Sequence, residues 1–134
     1  MSITISRSID IENALRGALD GYLTAYCRPL PANYSLPNIL ITQAGGNSES
    51  TASGKGKVDH FIVSIDARAK TEAEALEYLR TAIGILEKTR NGYSHISINS
   101  TYSWGNDPVR PDLAMCSATL NVTAHREYVT ITEE

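Results

Sequence analysis

The spacing of apolar and polar positions changes several times along the chain, and each change marks an expected element. Residues 8–23, SIDIENALRGALDGYL, place Ile11, Ala14, Leu15, Ala18, Leu19 and Tyr22 three or four apart. That spacing makes one apolar stripe on a helix. Ser8 or Asp10 can accept from the free amides at its start. Pro29 and Pro31 in CRPLPANYSLP then end the run by removing backbone donors. NILIT, residues 38–42, is a short apolar run bounded by Pro37 and a Gly/Ser stretch, which predicts a strand.

VDHFIVSIDARA shows the clearest strand pattern. Phe61, Val63, Ile65 and Ala67 fall on one face, alternating with His60, Ser64, Asp66 and Arg68. Ile62 interrupts the polar face and predicts that part of it is covered. A second helix follows, with Thr71 as cap and Glu74 three residues on, the reciprocal signature of a helix start. Its stripe is Ala75, Leu76, Leu79, Ala82, Ile83 and Leu86, and NGYS closes it, Gly92 being free to turn left-handed. HISINSTYSW reads as a strand with Ile96, Ile98, Ser100, Tyr102 and Trp104 in one register. LAMCSATLNVTAH reads as another, with Ala114, Cys116, Ala118, Leu120, Val122 and Ala124 inward; REYVTITEE either continues it or begins a new one. This order predicts an α+β fold, two helices on one face of a mainly antiparallel sheet of four to five strands.

Between the first two strands, QAGGNSESTASGKGK (43–57) holds four of the nine glycines and nothing apolar larger than Ala. The reading is a mobile loop, with Lys55 and Lys57 keeping it solvated. Its glycines match neither phosphate-binding spacing, and a strand follows instead of a helix. SWGNDPVRPDL (103–113) is its opposite. Asn106-Asp107-Pro108 signals a turn and Pro111 holds Arg110 extended, so the only Trp of the chain sits at the lip of a stiff loop. A pre-ordered aromatic and Arg suit a protein interface, since docking freezes little. The plainer alternative folds Trp104 back over the sheet edge and pairs Asp107 with Arg110. The candidate interface residues are Tyr102, Trp104, Asp107 and Arg110, with Lys55 and Lys57.

Composition narrows the function classes without choosing one. A chain of 134 residues is expected to form a single domain over 1–134. With 12 basic and 15 acidic side chains, a net charge of −3 argues against specific nucleic-acid binding. The N-terminus lacks a basic segment followed by an apolar run, and no stretch approaches a membrane span. Cys27 and Cys116 have no metal-ligand spacing and read as a reduced, buried pair. His60, His95 and His125 are not spaced like a metal motif, so no cofactor is expected and an enzyme is not. Two rivals stand: a small-ligand or metal-dependent enzyme using His60, Asp66 or His95, and a monomeric module docking through Trp104 and Arg110.

One run of elements resembles a known family. HFIVSIDARA, TEAEALEYLRTAIGILEK, HISINSTYSW, DPVRPDLA and CSATLNVTAHR follow one another closely over residues 58–126. The run is similar to tail terminator and neck proteins of long-tailed bacteriophages, and to minor capsid or tail-completion proteins of prophages. In those proteins a DP…R loop commonly precedes a strand ending in a phrase like v.v.ar, matched here by Asp107, Pro108, Arg110 and NVTAHR. The resemblance implies a subunit that closes into a homo-oligomeric ring, usually of six, capping the tail tube and facing the head connector. It implies assembly in the host cytoplasm and residence in the virion. The Ser/Gly-rich stretch with its two lysines departs from the family pattern.

Overall fold

In the computed structural model, which describes residues 1–50, 57–89, 91–98 and 102–133, the chain is α+β with two layers and a separate ribbon. The first strand is β1, Ser2–Arg7. Helix α1, Ile11–Leu19, follows with Asp10 as its cap, the carboxylate accepting from the Asn13 amide. β2, Ala25–Cys27, leads to β3, Asn38–Ser50, and β4, Lys57–Ala69. Helix α2, Glu72–Lys88, begins at Thr71, whose hydroxyl accepts from the Glu74 amide as its sequence indicates. β5, His95–Ile98, and β6, Ser103–Asn106, both pair with β7, Ala114–His125; β8, Glu127–Thr132, ends the order.

Among the described residues the main sheet has six strands in the order β2-β3-β4-β7-β5, with β6 on the same edge of β7 as β5. All pairs are antiparallel except β2–β3, so the sheet is mixed and larger than four or five strands. The expected single strand over 95–104 is split into β5 and β6. Ile98 opposes Leu120 and Ser103 opposes Ser117, so five steps on one side face three on the other. The two ladders are therefore not in one continuous register.

Both helices lie on one face, as expected. Ile11, Leu15, Leu19, Leu79, Ile83 and Leu86 bury against Ile39, Ile41, Val63, Ile65, Leu120 and Val122. Every second residue of β7 is buried from Ala114 to Ala124, the alternation its sequence shows. The reverse face carries Ile62, Ser64, Thr119, Asn121 and Thr123, partly open; Ile62, expected under cover, is exposed.

The predicted loop at 43–57 is corrected over most of its length. Residues 43–50 are strand, paired with Lys57–Val63 across a bulge between Gln43 and Gly45. An apolar residue is not needed there, because the backbone ladder to β4 holds the segment. Residues 51–56, Lys55 among them, lie outside the described residues, and Lys57 is described by backbone alone. Beside the bulge, a Cβ on Gly46 would meet the His60 carbonyl oxygen at 2.5 Å. Gly46→Ala is therefore expected to lower stability by about 1–3 kcal/mol, read as a lower urea midpoint with an unchanged slope.

Candidate functional site: an arm, its anchor and an open sheet margin

The two ends of the chain pair with each other: REYVTITEE begins a new strand, and β1, which no local pattern announced, is its partner. β1 and β8 pair antiparallel from Ser2–Thr132 to Arg7–Glu127 and form a sheet of their own. The ribbon packs closely on no other described element. Directly opposed residues share a face, so Ile3, Ile5, Val129 and Ile131 make an apolar stripe and Ser2, Thr4, Thr130 and Thr132 a polar one. Ile3 is 60% and Ile131 49% exposed. Thr4 and Thr130 join hydroxyls across the polar face, and Arg7 pairs with Glu127 at 2.8 Å. The arm's own ionic pair is thus satisfied within it.

Asp59 fastens the arm to the body. It is buried on β4 and accepts from the Ser8 hydroxyl at 2.7 Å, from the Ser48 hydroxyl and from Arg126 Nε at 3.3 Å. Ser8 and Arg126 stand immediately beyond the arm's last pair, Arg7–Glu127. One carboxylate therefore gathers both chain segments where they enter the ribbon, and Arg126 also donates to Ser48 at 3.1 Å. Burial pushes the Asp59 carboxyl up, but the hydrogen bonds from Ser48, Ser8 and Arg126 together outweigh it and hold it below the ordinary value. A cleft of about 270 Å³ lies alongside, lined by Ser8, Gly46, Ser48 and Asp59 among others.

Farther along the sheet, the loop after β6 divides the candidate interface residues. Trp104 opposes Cys116 and stands on the helix side, 50% exposed. Neither helix packs closely on β6, so the indole rests on a margin the helical layer does not reach. Ile98 on β5, a strand that α2 does reach, and Tyr102 just before β6 are also exposed. Arg110 stays at the surface but pairs with Asp112 at 2.9 Å, not with Asp107.

Asp107 is a correction. Expected on the presented surface, it is 4% exposed and bonded to Arg68 Nε at 2.6 Å. Its other oxygen accepts from the Val109 and Arg110 amides, the local turn that its sequence signalled. Burial raises this carboxyl, while the Arg68 bond and the two amides lower it further, and the net shift is downward. A buried ion pair therefore sits at the base of the loop, beside the prolines. Arg68 Nη1 and Asn38 Oδ1 are buried without partners. They belong to directly opposed residues of β4 and β3, one a donor and the other an acceptor. Beside Arg68 and Asp107, the residues Leu30, Pro31, Tyr34, Pro108 and Val109 line a cavity of about 440 Å³.

The residues of the enzymatic rival do not gather. His60 and His95 both oppose Thr123, so β7 lies between them, roughly 10 Å of sheet. Asp66 is six positions along β4, roughly 20 Å from His60, and accepts from Ser117 at 2.5 Å. Among the described residues no three His, Cys, Asp or Glu side chains form a metal-binding group. Both cysteines are free; Cys116 is buried while Cys27 is half-buried, so they are not the buried pair expected. Burial raises both thiols, which leaves them protonated and weakly nucleophilic. No described helix is long and apolar enough to cross a membrane. A scan of protein-family models finds no match to the chain, and neither does a search of curated proteins.

Proposed function

We propose that this protein is a structural assembly subunit of a phage or prophage virion, a ring-forming tail terminator or head–tail joining protein. The observation that carries the assembly reading is the arm. A two-stranded ribbon is marginal in water without a surface beneath it, yet here Ile3 and Ile131 at the outer end of its aliphatic stripe are exposed and no other described element packs closely on it. Such a ribbon gains its missing layer when a neighbour arrives. The outer edge of β3 beyond its short pairing with β2, and that of β5, offer further backbone for neighbours. Closure into a ring is one way to satisfy them in every copy. The phage assignment within that reading rests on the resemblance over residues 58–126.

Light scattering tests it, on the purified chain over a concentration series and again with a tail-tube protein. Assembly to a closed species near six times the 14.6 kDa chain mass is expected. A strict monomer in both settings would overturn the proposal.

A further inference from the structure

We propose that the cavity between the loop before β3 and the loop after β6 binds a small organic acid, an apolar body whose carboxylate Arg68 receives. The inference goes beyond assembly and does not depend on the ring. An unsatisfied cation carries it. Arg68 lines the cavity and is only 7% exposed. Its Nε bonds Asp107 at 2.6 Å, while Nη1 is buried with no partner among the described residues. A buried charged donor left unmade is costly, and an acceptor brought in by a ligand removes that cost. On binding, the guanidinium keeps Asp107 and turns so that Nη1, sealed from water in the free protein, meets the carboxylate.

The walls set the body of the ligand. Leu30, Pro31, Pro108 and Val109 are apolar, and Val109 stands 87% exposed at the lip. The volume, about 440 Å³, falls in the range of small-molecule sites, and about a third of it is enough for benzene. Both loops are formed in advance. The Ser35 amide donates to the Tyr26 hydroxyl at 3.1 Å, Asn38 Nδ2 donates to the Ser35 carbonyl at 2.8 Å, and Asp107 holds the Val109 and Arg110 amides. Binding therefore freezes little. Charge then selects the head. Arg68 and Arg110 line the cavity against one carboxylate, Asp107, which already accepts three bonds. The Arg110–Asp112 pair is exposed, where such a contact contributes little and yields readily. A wholly apolar ligand would leave Nη1 unpaired, and a cation would meet two arginines. A carboxylate gives Arg68 a charged hydrogen bond, roughly twice as strong as a neutral one.

Titration of the isotope-labelled full chain, followed through its amide shifts, tests the site with three probes: 3-phenylpropionate, its amide, and acetate. The acid is expected to move the Val109 and Arg110 amides and leave β1 and β8 still. The amide lacks the charge and acetate lacks the body, so each should bind about tenfold more weakly or worse. Val109→Glu changes an exposed side chain and sets a second carboxylate at the lip. Its affinity for the acid should fall about tenfold with melting unchanged. Arg68→Met with Asp107→Leu keeps the walls without the charged donor, and should bind acid and amide alike. A parent that binds no 3-phenylpropionate at the limit of solubility overturns the proposal, and Nη1 then belongs with a water shared with Asn38 Oδ1, the opposed acceptor. Equal affinity of the parent for acid and amide overturns it too, as does binding that Val109→Glu leaves untouched. If the double variant fails to fold, the amide comparison and Val109→Glu still decide. None of these results bears on ring closure, so the two readings fail separately.

Discussion

Asp107→Ala is expected to destabilise the fold by about 3–5 kcal/mol, the usual cost of stranding one member of a buried ion pair. Arg68 retains only 9% of its side-chain exposure beside Asp107, so its guanidinium cannot turn to water when the carboxylate goes. The substitution also frees the Val109 and Arg110 amides that Asp107 holds. A fall in melting temperature of roughly 10–20 °C follows for a domain of this size. Removing both charges is predicted to cost less. Arg68→Met with Asp107→Leu leaves no orphan charge, and such exchanges are often close to neutral. A double variant no more stable than Asp107→Ala would show that the loop amides, not the guanidinium, carry the loss. The turn that the pair anchors follows directly on β6 and Trp104.

The carriers of that result were only partly visible in the chain. Asn106-Asp107-Pro108 announces a turn because Asx and Pro act on their own backbone, and the turn is there. That Asp107 turns inward depends on Arg68, 39 residues earlier, and no local spacing encodes so distant a partner. Helix α2 was legible from Thr71 to Leu86, since its cap and stripe are both local. So were the inward residues of β4 and β7. By contrast, Ile3 and Ile5 alternate for only two positions, and their strand exists through pairing with Val129 and Ile131 at the opposite end of the chain. Residues 43–50 misled for another reason. Hydrophobic periodicity reports a buried face, and this stretch is held by a backbone ladder with little to bury. Trp104 lies half-exposed on β6; Asp59 and Arg126 carried no signal, because a carboxylate in a strand and a cation after one show nothing until the ends of the chain converge.

Asp59→Ala should loosen the arm while leaving the helices and main sheet folded. Asp59 receives bonds from Ser8 and Arg126 on the two segments entering the ribbon, and charged hydrogen bonds contribute about 1.5–3 kcal/mol each. Losing both, with partial recovery as Arg126 swings into water, leaves a deficit of about 3 kcal/mol. Amide exchange in β1 and β8 would then quicken roughly 100-fold, since 1.4 kcal/mol is tenfold, with β7 unchanged. Equal acceleration in β7 would mean that Asp59 supports the body instead. Acid should reproduce the effect in the parent protein. The folded carboxyl lies below its ordinary value of 3.8, so the protonated form is the one the anchor disfavours. Its stabilisation is complete above pH about 4 and disappears as pH falls through the lower folded value. Asp59→Asn keeps the shape without the charge, so its arm exchange should lose that acid step, whereas the step from Asp107, also depressed, should persist in the body. If a neighbour covers the arm as proposed, assembly at neutral pH should weaken in Asp59→Ala even though the stripe itself is intact. A looser ribbon must be ordered again before it can bind, and a deficit of about 3 kcal/mol would raise the concentration needed for each contact by up to roughly 100-fold.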